Sequence, residues 1–153
     1  MIEAYGQVYI GGKEDCSIGD ETMAIVHADK RCHARKLGYK GSLPNTHPNY
    51  LSAETPFDLW MNLIDPPYPL FKLESFKAFM AFATKHLEKR NLLIHCSTAQ
   101  SRAPSLAMIY FKELEGLQDK SYDFVKQEFL LKYPDFDPGA GIEAFMIANW
   151  EKL

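Results

Sequence analysis

Four short apolar runs, spaced by longer polar or periodic stretches, organise this chain. Residues 7–10 (QVYI) predict a first strand closed by Gly11 and Gly12. Residues 23–28 (MAIVHA) predict a second that ends at Asp29, and residues 58–64 (DLWMNLI) a third that ends at Asp65. Residues 91–95 (NLLIH) predict a fourth that ends at Cys96. Between the last two, Leu73, Phe76, Met80, Ala83 and Leu87 recur at three- and four-residue steps, which predicts a helix with one apolar face. Three more helices are expected: from about Pro104 to Glu115 with a stop at Gly116, from Ser121 to just before Pro134, and from Gly141 onward. Residues 38–56, rich in turn formers, are expected to be irregular.

Strands alternating with helices imply right-handed crossovers. The expected fold is α/β: one domain over residues 1–153 with a central, mainly parallel sheet of about four to five strands flanked by helices. Ligands of such sheets sit beyond the carboxyl ends of the strands. Asp29, Asp65 and Cys96 each follow a predicted strand and should share that edge, whereas Asp58 begins its strand and should lie at the other.

Composition narrows the function classes. With 153 residues, 46% of them hydrophobic, the chain can bury a sizeable core without staples. A net charge of −3 gives no basic excess for a nucleic-acid backbone, so no nucleic-acid partner is expected. No long apolar run or basic leader is seen, so neither membrane association nor secretion is expected and a cytoplasmic location is. Three cysteines at scattered spacing (Cys16, Cys32, Cys96) fit free thiols, with Cys16 and Cys32 read as small buried hydrophobes. The spacing of Cys32, His33 and His47 fits no standard metal site.

The chemistry concentrates in NLLIHCSTAQSRAPS. A strand that delivers Cys96 into a tight turn before a helix near Arg102 points backbone N–H groups and a positive helix end at the sulfur. That setting favours thiolate, the nucleophilic form. The same array suits a phosphate or another tetrahedral oxyanion, and the Arg102 guanidinium can grip two of its oxygens at once. Ser97, Thr98, Ala99, Gln100 and Ser101 bring no competing carboxylate, and Pro104 falls in the first helical turn, where its missing N–H costs little.

His95-Cys96, five residues and Arg102 resemble the signature loop of the cysteine-dependent protein phosphatases, and LLIHCSTAQSRAPSLA resembles the small dual-specificity phosphatases in particular. The likeness extends upstream to Asp65 in NLIDPPYPLF and downstream to YPDFDPGAGIEAF. It implies a phosphomonoester hydrolase acting on a phosphorylated protein or peptide through a phosphocysteine intermediate, with no metal or other cofactor. Cys96 is then the nucleophile, Arg102 and the 97–101 loop hold the phosphoryl oxygens, His95 orients the loop, and a carboxylic acid protonates the leaving group. Asp65, 31 residues before Cys96 in a proline-restricted loop, is the first choice for that acid, and Asp29 is its rival. Asp135 and Asp137 are read as turn residues.

Two positions depart from the family pattern. Ala99 stands where glycine is usual, and Ala103 stands where a serine or threonine usually follows the arginine to help the sulfur leave. A phosphocysteine that forms readily and breaks down slowly is therefore expected. The alternatives are a catalytically weak phosphate-binding pseudophosphatase and, further off, a rhodanese-like sulfurtransferase or an arsenate reductase.

Overall fold

The computed structural model describes residues Met1–Leu153. Its centre is a six-stranded sheet of β1 (Ile2–Tyr5), β2 (Val8–Gly11), β3 (Met23–His27), β4 (Ser52–Glu54), β5 (Asp58–Met61) and β6 (Asn91–His95), in the order β1-β2-β6-β3-β5-β4. The four strands anticipated from the apolar runs form the parallel interior, β2-β6-β3-β5. Short antiparallel strands close both edges. Five helices complete the fold: α1 (Lys30–Leu37), α2 (Leu73–Leu87), α3 (Arg102–Leu114), α4 (Tyr122–Lys132) and α5 (Ala140–Ala148). None is long and apolar enough to cross a membrane.

Three elements lay hidden in the sequence for identifiable reasons. β1 and β2 form a hairpin whose turn is Gly6-Gln7, both at positive φ (35° and 70°), so Gln7 is a turn residue and not the start of a strand. β4 has the composition SAE, with no apolar or β-branched signal, and it sits inside the stretch expected to be irregular. α1 reads KRCHARKL, which carries no apolar stripe; it is defined by its ends, with Asp29 accepting from Arg31 N–H at the N-cap and Gly38 in the left-handed conformation (φ 74°) at the C-cap.

The pleat divides the strand residues between two environments. Val8, Ile10, Ala24, Val26, Leu59, Met61, Leu92 and Ile94 face one core, where Phe76 and Phe79 of α2, Leu106 and Ile109 of α3, Phe129 of α4 and Ile142 of α5 complete it. All are buried, and truncating one of these phenylalanines to alanine costs about 3–5 kcal/mol. Ile25, His27, Trp60, Leu93 and His95 alternate onto the opposite face, outside that cluster. Lys36 of α1 lies over the Trp60 ring there, 4.6 Å from its centroid. Helices therefore flank both faces, but α1 covers its side with polar residues.

Candidate active site

The end of β6 is clamped between its neighbours. Ala28 N–H donates to the His95 carbonyl (2.9 Å) and Cys96 N–H donates to that of Gly11 (3.2 Å). Cys96 is thereby fixed and buried at the carboxyl edge of the sheet. The residues after it wrap into α3, and the protein holds that loop from outside by its carbonyl groups. Ser97 O accepts from Lys13 N–H (3.2 Å), Ala99 O from the Tyr133 hydroxyl (2.8 Å), and Gln100 O from Asp137 N–H (2.8 Å). Ser101 Oγ accepts from Gly139 N–H (2.8 Å).

The consequence is a run of backbone donors with no partner in the protein. No amide from Ser97 to Ala103 donates a hydrogen bond within the protein. A run of backbone N–H groups freed in this way at the start of a helix is an anion nest, with the helix dipole adding to it. Ala99 bends the loop in the left-handed region (φ 64°), which explains why a glycine is usual at this position.

Arg102, the first residue of α3, is largely buried. Its Nη1 donates to the Leu63 carbonyl (2.9 Å) and lies 3.7 Å from Asp29 Oδ1, while its Nε has no partner. These contacts hold the guanidinium against the end of the segment that carries Asp65.

The two candidate acids differ sharply. Asp29 is buried, caps α1 and accepts from Arg31 Nε (3.2 Å) and Nη2 (2.7 Å). Burial opposes its ionisation, but the Arg31 side chain and amide and the nearby Arg102 hold its carboxyl below the ordinary range. An ionised, fully engaged carboxylate has no proton to give, so the geometry disfavours Asp29 as a general acid. Asp65 is exposed in the DPPYP loop and lies against Gly139, where an added Cβ would sit 2.5 Å from its Oδ1. At Gly141 a Cβ would collide with the carbonyls of Pro66 and Tyr68. The two glycines let the Asp65 loop pack on the start of α5, beside the residue that holds Ser101.

His95 joins a buried relay. Its Nε2 is 2.8 Å from His27 Nδ1, and His27 Nε2 is 2.8 Å from Asp58 Oδ1. Burial, and then His27, push the His95 pKa down to about 4, so the ring is neutral at pH 7. Asp58 does begin its strand, but it is a buried member of this relay, held also by Gly19 N–H (2.9 and 3.1 Å). With Ala103 lacking a hydroxyl, two serines remain beside the loop. Ser101 Oγ is engaged only as an acceptor, and the buried Ser105 Oγ has no partner.

Sequence reasoning missed the loop's outer supports. Tyr133, Lys13 and Asp137 carry no motif, and the close approach of Asp65 to Gly139 appears only in the structure. It also read Cys16 and Cys32 as scattered apolar thiols, whereas Cys16 is half-buried and their sulfurs lie 3.7 Å apart.

The chain matches no protein-family model. No curated protein matches it either. Solved structures do. Human DUSP28 superposes with a TM-score of 0.67 at 13% identity, over 99% of this chain and 96% of that one. DUSP15 gives 0.66 at 16%, over 97% and 86%. The human tyrosine phosphatase-like serine/threonine/tyrosine-interacting protein gives 0.58 at 16%, over 85% and 77%. The chain has the dual-specificity-phosphatase-like fold.

Proposed function

We propose that this protein is a phosphomonoester hydrolase of the protein tyrosine or dual-specificity phosphatase type. The observation that carries the reading is the run of partner-free amides from Ser97 to Ala103 beside Cys96, with Arg102 at its helical end. In the first step the Cys96 thiolate attacks phosphorus, the S–P bond forms and the P–O bond to the leaving group breaks. The loop amides and Arg102 stabilise the charge on the equatorial oxygens. Asp65 gives its proton to the leaving oxygen, then as carboxylate takes a proton from the water that attacks the phosphocysteine and releases the thiolate. His95 acts on the loop through the backbone it anchors and transfers no proton. The substrate is a phosphorylated protein or peptide, as the resemblance of the Cys96–Arg102 loop to the dual-specificity phosphatases implies.

One observation favours a second reading, a phosphate-binding module with weak turnover: no hydroxyl follows Arg102, because Ala103 occupies that position. Hydrolysis of an aryl phosphate separates the two. The wild type is expected to turn over, Cys96→Ser to be inactive, and Asp65→Asn to be impaired. Full activity in Cys96→Ser would overturn the enzymatic reading, and phosphate binding without any Cys96-dependent hydrolysis would select the second.

A further inference from the structure

Four metal-ligating side chains that the phosphatase mechanism does not use as reactants meet beneath α1. Cys16 follows the short 3-10 turn Lys13–Asp15, His27 ends β3, Cys32 lies in the first turn of α1, and His95 ends β6. One donor atom from each lies within 4.8 Å of the others. Cys16 Sγ is 3.7 Å from Cys32 Sγ and 3.7 Å from His27 Nδ1, and His27 Nδ1 is 2.8 Å from His95 Nε2. Zinc bonds of about 2.3 Å to sulfur and about 2.0–2.1 Å to nitrogen give a tetrahedron with edges of about 3.8 Å (S–S), about 3.6 Å (S–N) and about 3.4 Å (N–N). The Cys16–Cys32 and Cys16–His27 edges match, and the other three sulfur edges lie within 4.8 Å. The His–His edge is shorter because the two rings share a hydrogen bond, which a cation between them replaces.

His27 presents Nδ1 to the cluster while its Nε2 faces the Asp58 carboxylate, and Gly19 N–H holds that carboxylate in turn. A carboxylate behind a ligating histidine fixes its tautomer and orientation. The half-buried Cys16 opens to a cleft of about 270 Å³ that also reaches Cys32 and His95, lined besides by Asp29 and the basic Lys13, Arg31 and Arg35, and this cleft is the entry path. α1 buries only Cys32 and His33 and lays no apolar stripe on the sheet.

We propose that Cys16, His27, Cys32 and His95 form a tetrahedral site for a thiophilic divalent cation, with zinc as the ion. Binding deprotonates the two thiols, releases two protons and leaves a neutral centre with the two imidazoles. It ties α1, the 13–16 turn, β3 and β6 together and fixes the residue directly before Cys96. The site stands or falls independently of the phosphatase reading, because Cys96 is not one of its ligands.

Cobalt(II) and zinc(II) added to the reduced, chelator-treated full chain test it. The expected result is about one equivalent bound per chain, with a thiolate-to-cobalt charge-transfer band, the strong visible absorption of tetrahedral cobalt, and displacement by zinc. Cys16→Ser and Cys32→Ser, verified as folded by circular dichroism, should abolish the charge-transfer signature or reduce it sharply. Cys96→Ser should keep it, and Asp58→Asn should weaken zinc about tenfold to a hundredfold. The weak spectrum of octahedral cobalt in the wild type would overturn the proposal whatever the variants do. So would binding that Cys96→Ser abolishes, or that a Cys16→Ser/Cys32→Ser pair leaves unchanged.

Discussion

The Tyr133 hydroxyl donates to the Ala99 carbonyl across 2.8 Å, and Ala99 accepts this bond while held at φ 64°. The contact joins the residue that ends α4 to the left-handed position of the loop between Cys96 and Arg102. A left-handed backbone costs an L-residue about 1–2 kcal/mol. Glycine removes that strain but gives back about 0.4–1 kcal/mol through the freer unfolded chain. Ala99→Gly should therefore stabilise by up to about 1.6 kcal/mol, at about 2–4 °C in Tm per kcal/mol for a chain of this size. Tyr133→Phe should lower Tm and weaken phosphate binding. Thermal melts with and without inorganic phosphate check both; a lower Tm in Ala99→Gly would mean that the alanine methyl packs favourably enough to outweigh the strain.

Ala103 predicts how the reaction divides between its steps. The hydroxyl that would help the thiolate leave is missing there, and the neighbouring hydroxyls belong to Ser101, engaged as an acceptor, and to the buried, unpartnered Ser105. Rapid mixing with an aryl phosphate should show a burst of phenol near one equivalent followed by a slow steady rate. Ala103→Ser should raise the steady rate and leave the burst amplitude unchanged. A wild type without a burst would place the slow step at or before formation of the phosphocysteine.

What the sequence disclosed and what it hid follow from where the information resides. Cys96, the 97–101 loop and Arg102 are contiguous, and the strand before them and the helix after them have strong local patterns, so the loop was legible. The four parallel strands were legible because both their faces are covered and they read as continuous apolar runs. The edge strands β1 and β4 were not, because half-exposed edges need few apolar residues; nor was α1, which is fixed by its caps and not by a stripe. Asp29 and Asp65 both read as strand-ending acids, ranked only by the spacing of Asp65 from Cys96 and its proline-restricted loop. Their surroundings differ in three dimensions, where Arg31 and Arg102 surround the first and Gly139 adjoins the second. The meeting of Cys16, His27, Cys32 and His95 draws on three separate stretches of chain, and no spacing rule could reveal it.

Gly139 predicts a way to move the acid without removing it. A Cβ at this position would come within 2.5 Å of Asp65 Oδ1, so Gly139→Ala should push the carboxyl off its place against Gly139. General acid catalysis is worth about 10²–10⁴-fold, and it matters most when the leaving group is poor. Gly139→Ala should therefore lower kcat/KM for a peptide phosphotyrosine far more than for an activated aryl phosphate, in the same pattern as Asp65→Asn. An equal loss on both substrates would point instead to damage at the Gly139–Ser101 hydrogen bond and the nest itself.

His86 predicts the acid limb of stability. The ring is buried at the end of α2, tilted against Phe82 with ring centroids 4.3 Å apart, and its Nδ1 faces Arg90 Nη1 at 2.8 Å. Nδ1 must accept from the guanidinium, so the ring is neutral. Burial first, then Arg90 and Lys85, lower its pKa from the ordinary histidine value. Between that value, about 6.5, and the lower folded one, the unfolded chain binds a proton that the folded chain refuses, so stability rises with pH through this window. The contribution is fully present above pH about 6.5 and is lost as pH falls toward the folded pKa. Urea denaturation at pH 7.5 and 5.5 should show the midpoint falling with acidification. His86→Gln should show a smaller fall, because glutamine can still accept from Arg90 but cannot titrate. An equally steep pH dependence in His86→Gln would assign the effect to the other buried histidines.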